Sequence, residues 1–165
     1  MDTPIKTMTL ARKSKMEWKS VDDLLDYAID REQEAHDFYV DLSNRVSTMK
    51  NTFTGFAKEE LGHKAKLQAV KSGKKLLASS SKVADLKIGD YLVEVEADDP
   101  ETLDYQQALI IAMKKEDAAM RLYKDLAGRA GDPGIKDLLL GLAQEEAKHK
   151  LRFEVEYDEY ILREN

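Results

Sequence analysis

The chain has 165 residues, 35% charged and 42% hydrophobic, with a formal net charge of −6. That length suits one domain with a substantial core, and the acidic balance argues against a nucleic-acid binder, whose affinity would rest on Lys and Arg at phosphates. Cysteine is absent, which excludes disulfides, thiol catalysis, iron–sulfur clusters and Cys-type zinc sites, and no apolar run is long enough to span a bilayer.

The first nineteen residues are mildly basic (Lys6, Arg12, Lys13, Lys15, Lys19) and lack the apolar h-region of a signal peptide, so residues 1–19 read as a tail, with Trp18 as a possible anchor, on a cytoplasmic protein. Residues 20–165 read as one bundle domain. Ser20-x-x-Asp23 resembles a capping box and opens a first helix running to about Ser47. A second follows almost at once, from about Asn51 to Ser72, with Gly73 as its stop. A long connector, 74–98, holds Ser79-Ser80-Ser81, a candidate short helix at Lys82 to Leu86 and an alternating, extended Leu92 to Glu96. Asp99-Pro100 predicts an N-cap and first turn for a third helix ending near Gly131, and Asp132-Pro133 does so for a fourth that runs to about Leu162. The short connections predict antiparallel hairpins. The long connector could cross the full bundle and leave helices 2 and 3 parallel, the one-crossover topology of ferritin-like folds.

Alternating three- and four-residue steps trace one apolar stripe per helix. They read Leu25, Ala28, Glu32, Ala35, Tyr39, Leu42, Val46; Phe53, Phe56, Glu60, His63, Leu67, Val70; Leu109, Ala112, Glu116, Ala119, Tyr123, Leu126, Ala130; and Leu139, Leu142, Glu146, His149, Phe153. Each stripe is interrupted near its middle by Glu or by Glu-x-x-His. Buried charges of this kind are normally paired or bound to metal. The chain also repeats. A shift of 84 places Glu32, Tyr39 and Leu42 on Glu116, Tyr123 and Leu126, and a shift of 86 places Glu60 and His63 on Glu146 and His149. All the candidate ligands recur.

One Glu-x-x-His is a weak signal, since most matches in a Glu-rich chain are solvated surface. Two copies, with Glu32 and Glu116 at matching stripe positions, make the ligand pattern of di-iron and di-manganese carboxylate bundles. Oxygen-rich ligation with one imidazole per metal suits iron or manganese; the competing reading is a set of buried, partly protonated glutamates. By symmetry Glu60 and Glu146 would bridge two metals, Glu32 and Glu116 would be terminal, and His63 and His149 would bind one metal each. Glu59 and Glu145 are candidate partners for the outer N–H of the opposite hairpin's histidine, or else plain surface glutamates. Tyr39 and Tyr123, seven residues past Glu32 and Glu116, would hydrogen-bond a ligand carboxylate or feed electrons, or else be core aromatics. His36 corresponds to Met120 in the repeat and so has no expected ligand role.

On these residues the chain resembles the rubrerythrin-like branch of the ferritin superfamily. The resemblance spans about Ser20 to Arg163 and is carried by Ala28-Ile29-x-x-Glu32-x-x-Ala35-x-x-Phe38-Tyr39, Glu59-Glu60-x-x-His63, Asp85-Leu86-Lys87-Ile88-x-Asp90-Tyr91-Leu92-Val93, Ala112 to Glu116, Leu122-Tyr123 and Glu145-Glu146-x-x-His149. It implies an all-α four-helix bundle with two iron ions per chain, manganese or zinc being possible substitutes, and commonly a homodimer. It implies reduction of hydrogen peroxide or oxygen, or oxidation of ferrous iron. Rubrerythrin proper carries a Cys-bound iron in a rubredoxin domain; without cysteine, the electron donor would be a separate protein such as a rubredoxin. The family's extra glutamate after the third-helix ligand is Ala119 here, with Ala35 as its repeat mate, so the resemblance does not carry over the associated redox-linked shift of one iron. The first reading is a di-iron protein that reduces peroxide or oxygen. The alternatives are a ferroxidase or iron-handling protein, and a metal-stabilised bundle without turnover.

Overall fold

The computed structural model describes residues 21–73, 91 and 104–164. The described chain is all-α: α1 (Val21–Arg45), α2 (Lys50–Gly73), α3 (Tyr105–Arg129) and α4 (Pro133–Glu164). The tail, Ser20 and the connector segments 74–90 and 92–103, with their expected short helix and extended stretch, lie outside the described residues.

Helix ends follow local hydrogen-bonding chemistry. α1 stops at Arg45, because Val46 is extended (φ −129, ψ 100) and Ser47–Met49 makes a tight 3₁₀ turn into α2. The start of α3 differs from the expected Asp99-Pro100. Asp104 is extended and caps the helix: its carboxylate accepts from Gln107 N at 2.7 Å, and the Gln107 side chain accepts from Asp104 N at 3.1 Å. This reciprocal box satisfies two otherwise orphaned N–H groups. For α4 the expected signal holds: Asp132 Oδ2 accepts from Ile135 N at 3.0 Å, with Pro133 as the first helical residue.

Cross-hairpin pairs define the topology. Tyr123 on α3 bonds Glu32 on α1, and Tyr39 on α1 bonds Glu116 on α3, so α1 and α3 run antiparallel. His63 on α2 meets Glu145 on α4 while His149 meets Glu59, so α2 and α4 are antiparallel as well. Since α1 also packs antiparallel to α2 within its own hairpin, α2 and α3 are parallel, as the long connector suggested. This is a ferritin-like four-helix bundle.

The core divides into two apolar clusters. One is mostly aliphatic: Leu24, Leu25, Leu67, Val70, Leu122, Leu126, Leu139 and Leu142, with Tyr91 from the connector region packed in and its hydroxyl donating to Asp125. The other is rich in rings: Phe38, Tyr39, Phe53, Tyr105 and Phe153, with Met49, Leu42 and Leu109. Full burial of each large side chain contributes roughly 1.5–3 kcal/mol. The stripe positions account for more than half of the aliphatic cluster and half of the ring-rich one; Leu24, Phe38, Tyr105, Ala108, Ile111 and Leu122 are among those that join from flanking positions, because a core-facing helix buries an arc wider than its central line.

Candidate metal centre

The interruptions in the four stripes meet at one level between the two clusters. Glu32, Glu60, His63, Glu116, Glu146 and His149 are each no more than 2% exposed. Their donor atoms form two groups, Glu32, Glu60, His63 and Glu146, and Glu60, Glu116, Glu146 and His149; within each group one atom per residue lies within 4.8 Å of every other. Glu60 and Glu146 belong to both. The repeat in the sequence is thus a near-twofold arrangement in space, with each Glu-x-x-His placing its two side chains on one helix face.

The two histidines face the same way. His63 Nδ1 points inward, 2.7 Å from Glu146 Oε1, 3.4 Å from Glu60 Oε1 and 3.5 Å from Glu32 Oε2. His149 Nδ1 lies 3.1 Å from Glu60 Oε1 and 3.6 Å from Glu116 Oε1. The outer nitrogens meet carboxylates across the bundle: His63 Nε2 is 3.4 Å from Glu145 Oε2, and His149 Nε2 contacts Glu59 Oε2. Both outer carboxylates are part-exposed, at 41% and 51%. The structure therefore brings Glu59 and Glu145 to the places the sequence suggested. Tyr39 and Tyr123 also take the expected partners, donating to Oε1 of Glu116 and of Glu32.

What remains unpaired is informative. Glu32 Oε2, Glu60 Oε1, His63 Nδ1, Glu116 Oε2, Glu146 Oε1 and His149 Nδ1 are all buried without a hydrogen-bond partner. Each such atom costs about 1–3 kcal/mol if left unsatisfied. One from every candidate ligand, all directed at the same small volume, is a cage that suits a cation. Oxygen-rich donors with one imidazole per group are the chemistry of iron or manganese sites.

The electrostatics point the same way. Burial pushes the Glu32 carboxyl well above the usual range, against the opposing effect of His63. Glu146 is pushed up by burial and by the charges of Glu116, Glu32 and Glu60. Glu60 moves in the other direction: burial would raise it, but His149 and His63 hold it well below the usual range. Burial alone would lower both histidines, yet Glu32 and Glu60 raise His63 to about 10, and Glu116 and Glu60 raise His149 to about 11. Five of the six side chains are thus held away from their ordinary protonation behaviour by burial and by one another.

His36 stands apart, part-exposed and 2.9 Å from Asp37. Two braces that the stripe pattern did not indicate tie the hairpins at equivalent positions: Lys64 Nζ donates to Gln33 at 2.7 Å and Lys150 Nζ to Asp117 at 3.0 Å. A buried glutamate was also missed. Glu156 is 1% exposed and paired with Arg163 at 2.7 Å. It continues the α4 stripe three residues past Phe153, and only that step could have marked it.

No helix among the described residues is long and apolar enough to cross a membrane. Neither the curated proteins nor the solved structures yield a match to this chain. Among protein families, the rubrerythrin family matches residues 23–157, a span that holds every residue of the buried Glu/His cluster. With the ferritin-like bundle and its doubled Glu-x-x-His in place, that match settles the family: the chain belongs to the rubrerythrins.

Proposed function

We propose that this chain is a non-haem di-iron carboxylate protein that reduces hydrogen peroxide or dioxygen with electrons from a separate donor protein, a rubredoxin being one chemical type. The observation that supports this reading is the set of six unpaired inward donor atoms, divided into two groups that share Glu60 and Glu146. In this reading Glu60 and Glu146, which belong to both groups, would hold metal together with Glu32 and His63 on one side and with Glu116 and His149 on the other. Iron bound there supplies reversible one-electron chemistry at each site; manganese or zinc would fit the same donors, and zinc would not cycle.

The surrounding residues hold the donors in place. Tyr39 and Tyr123 each engage one oxygen of a terminal carboxylate and leave the second directed inward. Glu59 and Glu145 accept from Nε2–H of His149 and His63, which keeps Nδ1 of each histidine available as a ligand. Peroxide reduction consumes two protons with two electrons, and the same part-exposed glutamates connect the buried imidazoles to water.

The test is anaerobic loading with ferrous iron followed by mixing with peroxide or oxygen, while ferric absorbance and bound iron are followed. Rapid oxidation that saturates near two irons per chain, stays bound and can be re-reduced is the expected result. Ferric iron that is released or keeps accumulating would make iron the substrate and the protein a ferroxidase. Bound iron that never cycles would leave a structural bundle.

A further inference from the structure

The repeat builds the centre twice, but the side chains at its two ends differ. A shift of 86 residues relates Leu67 to Phe153, Val70 to Glu156, Phe53 to Leu139 and Phe56 to Leu142. At these positions the His63 end is aliphatic, while the His149 end holds three phenylalanines and a buried carboxylate.

The rings at the His149 end are in continuous contact. His149 and Phe56 have centroids 4.2 Å apart, Phe56 and Phe153 5.4 Å, and Phe153 and Phe53 are stacked at 5.7 Å. Phe53 then meets Tyr105 at 6.5 Å, and Tyr105 meets the part-exposed Tyr160 at 5.0 Å. Tyr105 is 9% exposed, and its hydroxyl is buried without an aligned hydrogen bond. Burial and then the neighbouring Glu156 carboxylate push that phenol up. Glu156, where the repeat has valine, is buried and ion-paired with Arg163 at 2.7 Å, and nothing in the metal centre uses it.

We propose that Tyr105 and Tyr160 form an electron inlet to the centre, with Glu156 as acceptor of the Tyr105 phenolic proton. This rests on the peroxide-reducing reading above. Reduction of peroxide to two waters takes two electrons, and its two protons come from solvent. When the metal centre holds only one reducing equivalent, Tyr105 supplies the second electron. The phenylalanine rings are the medium it crosses and are not themselves oxidised. The phenolic proton passes to the Glu156 carboxylate, leaving a neutral tyrosyl radical and a carboxylic acid. An electron from Tyr160 and the proton held on Glu156 then restore Tyr105, while Tyr160 gives its own proton to water. A one-electron reductant in solution, such as a thiol, repairs Tyr160 at the surface together with a proton from water.

The experiment uses full-length protein loaded anaerobically with limiting ferrous iron, mixed with excess peroxide and freeze-quenched for electron paramagnetic resonance, with ferric absorbance followed in parallel. Wild type is expected to give a tyrosyl radical. Tyr105→Phe should lose that radical while ferric absorbance develops to the same extent, and it removes only a hydroxyl with no aligned partner. Tyr160→Phe should prolong the Tyr105 signal, and Glu156→Gln should lower its yield. Iron oxidation without a radical in wild type would overturn the inlet alone, as would an undiminished signal in Tyr105→Phe or one lost only in Tyr39→Phe. If peroxide fails to oxidise the bound iron, the peroxide reading falls and the inlet falls with it.

Discussion

The two ends of this bundle sit at equivalent positions of one internal repeat and are packed with different chemistry. On one side of the Glu/His layer, Leu67, Leu139 and Leu142 close the core; on the other, Phe153, Phe53 and Phe56 occupy the corresponding places. The layer itself keeps the repeat closely, down to Tyr39 on Glu116 and Tyr123 on Glu32. Ligand geometry tolerates little change, because a displaced carboxylate leaves its neighbours buried and unpaired. A packing layer needs only matching volume and shape, so rings and branched chains can be exchanged there. Duplication therefore shows most clearly in the polar layer and fades on either side of it.

The largest effect that would sharpen this comparison is expected at the shared residues. Glu60→Ala or Glu146→Ala should abolish binding of the metal pair at both ends, read as metal content after dialysis; retention of two ions would break the bridging assignment.

Metal removal should then expose the titrations of the layer. Glu32, Glu146, His63 and His149 all have raised folded-state values. Their contribution to the stability of metal-free protein is present below the unfolded values and is lost as pH rises through the folded ones, about 10 and 11 for the histidines. Glu60, held low, contributes in the opposite sense and loses its contribution as pH falls. Chelated protein should accordingly melt at lower temperature as pH is raised above neutrality, and metal affinity should increase over the same range because binding displaces protons. A melting temperature independent of pH after chelation would contradict this.

The ends themselves are compared by Phe153→Ala and Leu67→Ala, with expected losses of about 3–5 and about 2–5 kcal/mol in denaturant unfolding. Phe153→Ala should also reduce iron occupancy at the Glu116/His149 site, since its ring packs 5.3 Å from that of Tyr39. Equal metal content in the two variants would argue against that coupling. Tyr39→Phe and Tyr123→Phe each remove a buried hydrogen bond to a carboxylate, worth about 1.5–3 kcal/mol, and similar losses from the two would confirm that the repeat is energetically symmetric. The smallest effect belongs to His36→Ala, expected to stay within about 0.5 kcal/mol of wild type with unchanged metal content.

Much of this was legible in the linear chain, because helix periodicity is local. A carboxylate placed three or four residues from the next stripe position must share its face, so the two Glu-x-x-His pairs, Glu32 and Glu116 could be read as one layer before any packing was known. The Asp132-Pro133 start was equally local, since a cap bonds the turn beside it. The start of α3 was less so: Asp99 and Asp104 both offer capping chemistry, and only the observed Asp104–Gln107 reciprocity chooses between them. Tertiary structure alone decided that Glu59 and Glu145 are partners of the opposite hairpin's histidines and not plain surface glutamates, bringing Glu59 to His149 and Glu145 to His63. It also decided that Glu156, one more glutamate in a Glu-rich helix, is buried beside Arg163. Partnerships across the bundle depend on how two hairpins are rotated and slid against each other, and that is set by the summed packing of both cores rather than by any residue's neighbours in the chain.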